Sequence, residues 1–222
     1  MWDMFKGTGK KISEIRALPA FAKIYLKDNV NVIITQGSTQ EVKVEAGEKL
    51  VPLIRTRVDT GTLFISNDNK CNWARSYKKG TITVHITMPT LRFIWHYGSG
   101  NISCTDTIAC DTINILTRET GDVELTLNAN VIFNQLHGTS DVTLHGKSPL
   151  MGVFHIGEGY LHAEDLQADY LWEYTKASGN DYLKVKYWLY AKIEWAGSIY
   201  YRGNPPTVLS ELNGNGKLIP LD

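Results

Sequence analysis

Only three cysteines occur in this 222-residue chain, Cys71, Cys104 and Cys110. Their odd number and lack of metal-site spacing argue against a disulfide framework and against structural zinc. A single bridge between Cys104 and Cys110 stays open. Excess charge is missing too: Lys and Arg total 23, as do Asp and Glu, so no net field draws the chain to nucleic acid or an anionic membrane. No run of about 18 apolar residues exists, which excludes a spanning helix. The opening Met1-Trp2-Asp3-Met4-Phe5 has no basic segment followed by an apolar one, so no signal peptide is visible. A chain of this length buries one core, or a core with an appended half, without metals or disulfides.

What the chain does have is a pattern that returns. It reads GSGNIS at 98, TGDVEL at 120, TSDVTL at 139, EGYLHA at 158, SGNDYL at 178, AGSIYY at 196 and NGNGKLI at 213. The second small residue of each copy is Gly100, Gly121, Ser140, Gly159, Gly179, Gly197 and Gly216, giving steps of 21, 19, 19, 20, 18 and 19. A near-constant period of this size marks a solenoid. Two positions on lie Ile102, Val123, Val142, Leu161, Asp181, Ile199 and Leu218, and a second apolar column holds Ile113, Ile132, Met151, Leu171, Leu189 and Val208. Both columns are expected to point inward, with a bulge or a shift of register in the rung where Asp181 interrupts the first. The glycines are expected at corners, in the left-handed conformation a turn requires. Gly98-Ser99-Gly100 and Gly214-Asn215-Gly216 precede strand patterns, not helices, and so are not phosphate cradles.

The fold class is therefore all-β, a parallel β-helix or β-solenoid of about seven short rungs over residues 91–222. A β-rich N-terminal part over 12–90 precedes it, and the two are expected to form one continuous unit. In that first part Val30, Val32 and Ile34 alternate, as do Val42 and Val44, then Leu63 and Ile65, with turns at Gln36-Gly37-Ser38 and Asp59-Thr60-Gly61. Leu50, Leu53, Ile54 and Val58 stand at helical spacing, which predicts one short helix over 50–58 with Pro52 in its first turn. Asn67 to Gly80 shows neither period and reads as a loop whose Trp73 and Tyr77 cover the core edge. Thr81 to Thr87 alternates again and ends at Met88-Pro89.

With these residues in place, the chain resembles the head GIN domain family of surface adhesins of Bacteroidetes-type bacteria. The resemblance rests on Ala20-Phe21-Ala22-Lys23-Ile24-Tyr25-Leu26, on Val30 to Gly37, on the repeated small-Gly-Asx corners, and on Gly203-Asn204-Pro205-Pro206 running to Gly214–Leu218. It implies an all-β fold of parallel β-helix character, export to the periplasm, outer membrane or cell surface, frequent lipid anchoring and a role in adhesion. It brings no catalytic residues. Export also implies that Met1 replaces or follows residues of a longer precursor, so that membrane attachment comes only through a lost lipid anchor.

No catalytic, metal or cofactor site is expected. Of six histidines, His137 and His155 fall in adjacent rungs, but no carboxylate stands at matched positions beside both. Glu164-Asp165 reads as a solvated turn, since glycosidase chemistry needs two carboxyls facing across a cleft. Ser, His and Asp carry no nucleophile-elbow signature. The informative residues are aromatic: Phe133, Phe154, Trp172, Tyr174 and Tyr190 take outward positions and form the candidate binding or oligomer face, provided the strand register is right. Three functions follow from this. The first is a non-enzymatic cell-surface or envelope binding module whose partner is a glycan, a surface protein or another copy of the chain. A self-assembling envelope protein is the second, and a carbohydrate-active enzyme on a β-helix the third.

Overall fold

Alternating apolar and polar residues become strands because a period of two buries one side and leaves both backbone edges free to pair. The structure is a computed structural model describing residues 8–69 and 82–221; Trp73 and Tyr77 lie outside the described residues. The strands are β1 (Lys11–Arg16), β2 (Lys23–Asp28), β3 (Asn31–Gln36), β4 (Glu41–Gly47), β5 (Ile54–Asp59), β6 (Thr62–Asn67), β7 (Thr83–Met88), β8 (Phe93–Gly98) and β9 (Ile102–Cys104). They continue as β10 (Ile108–Thr117), β11 (Val123–Leu136), β12 (Val142–His155), β13 (Leu161–Thr175), β14 (Asp181–Ile193), β15 (Ile199–Arg202), β16 (Thr207–Leu212) and β17 (Leu218–Pro220).

These strands wind into one sheet around one core. One face, here the A face, runs β5-β6-β2-β8-β10-β11-β12-β13-β14-β16. The B face runs β1-β4-β7-β3-β9-β11-β12-β13-β14-β15-β17. All pairings are parallel except β1 with β4, β4 with β7 and β5 with β6, which close the N-terminal end. The long strands β11 to β14 serve both faces by bending: in β11 the inward phase changes between Ala129 and Ile132.

The all-β solenoid expected from the period is what the chain forms. Ile102, Val123, Val142, Leu161, Asp181, Ile199 and Leu218 are register partners along the B face. Ile113, Ile132, Met151, Leu171, Leu189 and Val208 are partners along the A face. Parallel stacking also extends N-terminally of Leu91. There β2 lies between β6 and β8, and β3 between β7 and β9, so these coils are not stacked in chain order.

The small-residue column has a cause other than the one expected. None of Gly100, Gly121, Gly159, Gly179, Gly197 and Gly216 has a positive φ. Instead a Cβ at each would fall on a carbonyl oxygen of the coil below, that of Val30, Gly100, Ser140, Gly159, Gly179 and Gly197 in turn. Backbone approach selects glycine here, and left-handed geometry does not. Ser140 keeps its Cβ and donates its hydroxyl to the Glu119 carbonyl at 2.8 Å. The residue after the small one ties the coils together. Asn101 Oδ1 accepts from the Asp122 amide at 3.1 Å, Asp122 Oδ1 from Asp141 at 3.0 Å, and Asp141 Oδ1 from Tyr160 at 2.8 Å.

One further expectation is corrected. The helix over 50–58 shrinks to a 3-10 turn at Val51–Leu53, and Ile54 onward is β5. There Ile54, Thr56 and Val58 alternate with exposed Arg55, Arg57 and Asp59, and β6 supplies an edge, so pairing overrides the helical spacing. Asp181 itself stays in register and fully buried; the rung does shift register, but beyond it, at Ala163/Gln167 and Ala168/Tyr170. Cys104 and Cys110 are free thiols packed against the core.

Gly179→Ala should lower stability by about 1–3 kcal/mol, because the added methyl must displace backbone. For a chain of this size that is a fall in Tm of about 2–4 °C per kcal/mol in thermal unfolding, and an unchanged Tm would contradict the close-approach account.

Candidate binding face

Outward residues of the A face follow from its inward ones. Ile132, Asn134 and Leu136 are buried, which turns Phe133 and Gln135 outward; Leu171, Glu173 and Thr175 likewise leave Trp172 and Tyr174 outside, and Leu189 and Ala191 do so for Tyr190. Phe154 stands outward between buried Val153 and His155. All five candidate rings thus occupy the outer side of one face, each half-buried.

Register decides which rings meet. Phe154 and Tyr174 are partners on adjacent strands and stack at 5.2 Å with planes 10° apart. Phe133 and Trp172 are two strands apart, with Gly152 between them, and their centroids lie 6.5 Å apart. The indole occupies the space a Gly152 side chain would need. Tyr190 is the register partner of Trp172, yet it stacks at 6.3 Å on Trp188 of its own strand. Tyr170 and Tyr187, centroids 5.8 Å apart, add half-exposed rings beside them.

The aromatic stripe is longer than the sequence suggested. Tyr25 lies 5.2 Å from both Phe64 and Tyr97, and Phe93 and Trp95 stack at 3.7 Å, all on strands of the A face. Arg57 covers Phe64 at 4.2 Å and Arg118 lies over Tyr97 at 5.5 Å. The alternation in Phe93-Ile94-Trp95-His96-Tyr97 carried that signal, but the out-of-order coils hid its alignment with the later repeats.

A polar network borders the rings at the C-terminal end. Tyr174 donates to Glu194 at 2.7 Å, Lys176 bonds the same carboxylate at 2.8 Å, and Lys192 bridges Glu194 and Glu211 at 3.4 and 3.3 Å. Tyr190 donates to Glu211 at 2.8 Å. Lys176 first, then Tyr174, holds the Glu194 carboxyl down at about 2. The Glu211 carboxylate raises the Tyr190 hydroxyl.

Such a surface presents ring edges, hydroxyls and fixed charges. Three surface grooves of about 320, 400 and 440 Å³ are lined by a single carboxylate each: Asp111, Glu14 and Asp169. Glu164 and Asp165 sit side by side near histidines, at His162 and His145, and do not face each other across a groove. His137 packs on Phe154 at 5.9 Å while His155 is buried, so the two do not form a metal pair. Among the described residues no three His, Cys, Asp or Glu are placed to hold a metal ion, and no helix is long and apolar enough to cross a membrane.

A family model described as "Putative auto-transporter adhesin, head GIN domain" matches residues 20–205. The chain belongs to the head GIN domain family. Solved structures share this head GIN fold. A "putative adhesin" of Bacteroides fragilis gives a TM-score of 0.88 at 24% identity, covering 96% of this chain and 97% of that one. A "putative lipid binding protein" of Parabacteroides distasonis gives 0.75 at 19% identity, over 97% and 98%. A "putative adhesin" of the same species gives 0.74 at 18% identity, over 97% and 98%. No curated protein matches the sequence.

The border of this head GIN face can be tested by titration. Lys176→Met removes the main cause of the low Glu194 value, so its carboxyl resonance should titrate nearer 4.5, and Tyr174→Phe should move it less. An unmoved titration in both variants would break the network described.

Proposed function

We propose that this head GIN domain is a non-enzymatic binding module of the cell surface, making contact through the A face. The observation that carries this reading is the set of half-buried outward rings on one face, paired as Phe133 with Trp172, Phe154 with Tyr174 and Trp188 with Tyr190, and bordered by the Tyr174–Glu194–Lys192–Glu211 network. Aromatic side chains contribute large contact areas at small entropy loss, and such rings favour interfaces. The family name supports adhesion and, with it, export to the cell surface.

Ring orientation bears on the partner. Phe154 and Tyr174 stack on each other along the coil axis, which covers one face of each of these two rings. That favours a protein partner, and a second copy is the first to test because the net charge of zero offers little repulsion. The double variant Trp172→Ser, Tyr190→Ser should keep its circular dichroism, since neither ring fills the core, and should lower the solution mass by light scattering at high concentration. A variant that folds and matches the parent in both mass and glycan-array binding would contradict the reading, and loss on the array alone would redirect it to a glycan.

A further inference from the structure

Ionisable groups inside the stack have no lysine or arginine partner among the described residues. Among the described residues no lysine or arginine is buried, yet His155, Glu173 and Asp181 are each 0% exposed. They come from three successive strands, β12, β13 and β14, and Asp181 reaches across from the B-face column. His155 Nδ1 lies 2.8 Å and 3.1 Å from the two Asp181 oxygens. Neither Glu173 oxygen and no Nε2 bond of His155 finds a protein partner. The neighbours in these inward columns, Asn134, Val153, Thr175 and Ile199, carry no charge. His137, which packs outward on Phe154, still feels the charge of His155, and His96 stands three coils away in the His155 column.

Charge counting then constrains the state of the site. Two carboxyls and one imidazole are neutral together only when they hold two protons, and even a single net negative charge requires one. An uncompensated ion in an apolar interior is heavily penalised. In the unfolded chain above about pH 7 the same three groups hold almost none. We infer that His155, Glu173 and Asp181 form an internal proton-binding site, so that the chain takes up at least one proton as it folds and its coils hold together less tightly in alkali.

Glu173 is the natural holder of that proton: burial, then the charge of Asp181, pushes it well above the usual carboxylate range. Burial pushes Asp181 up to about 7, partly offset by the neighbouring Glu173 carboxyl and the Leu161 backbone. Both folded values exceed the unfolded ones, so the stabilisation is complete below about pH 4 and is lost as pH rises through the folded values. Burial lowers His155, His96 and His137, whose contributions are instead lost as pH falls below about 6.5. Above about pH 7 the carboxyls act without the histidines. They are joined near about pH 8.5 by the Cys104 and Cys110 thiols, which burial raises.

Urea unfolding of the full chain between about pH 7 and about pH 8.5 tests this, with Glu173→Gln beside it as a neutral mimic of the protonated acid. The parent folding constant should fall about tenfold per pH unit for each proton held only by the folded state. Glu173→Gln should keep the Asp181 and thiol parts of the slope, lose the Glu173 part, and be the more stable protein at the alkaline end. Parallel profiles would overturn the site. If the variant does not fold, carboxyl carbon resonances of the folded parent at about pH 7.5 decide the matter: a protonated side-chain carboxyl supports the site, and its absence overturns it.

Discussion

Coils that stack at the spacing of paired strands, about 4.8 Å, leave no room for a side chain where two backbones turn together, and the rest of the structure depends on that restriction. It places glycine at Gly100, Gly121, Gly159, Gly179, Gly197 and Gly216, each against a carbonyl of the coil below. It lets Asn101, Asp122 and Asp141 reach the next coil's amide, and so satisfies backbone groups that a sharp corner would otherwise orphan. With the corner set, every inward residue meets its counterpart one coil away, and every outward residue does too. One constraint therefore builds both the core columns and the aromatic stripe.

Most of this was legible because the constraint repeats. The small residues return at a period that varies by at most 3, so the inward columns from Ile102 to Leu218 could be aligned by eye. The N-terminal coils could not be aligned in the same way. There β2 and β3 slot between β6–β7 and β8–β9, an order that no period along the chain encodes, and Tyr25, Phe64 and Trp95 were missed as part of the face. The segment from Leu50 to Val58 shows the other limit: four apolar residues fit a helix equally well until the free edge of β6 decides. Asp181 was visible as an exception, but its partner His155 lies 26 residues away and only the fold joins them.

Inside and outside, the stack shows different chemistry from the same columns. Outward, register partners Phe154 and Tyr174 stack, and Lys192 links Glu194 to Glu211 across coils. Inward, the same spacing brings Glu173 and Asp181 against His155, all three buried. The B face carries a second ladder, in which His162, Tyr182 and Tyr200 stack at 5.2 and 5.1 Å. The two ladders share geometry and differ in their borders, since the rings of the A face are bounded by the Glu194–Lys192–Glu211 chain.

That difference allows one molecule to serve as its own control. Hydroxyl-radical footprinting at low and at high protein concentration, and with surface glycans added, compares the ladders directly. Binding through the A face predicts protection of Phe133, Trp172, Tyr174 and Tyr190 on association, with Tyr182 and Tyr200 oxidised as before. Equal reactivity of both ladders under every condition, or protection of Tyr182 and Tyr200 alone, would contradict it.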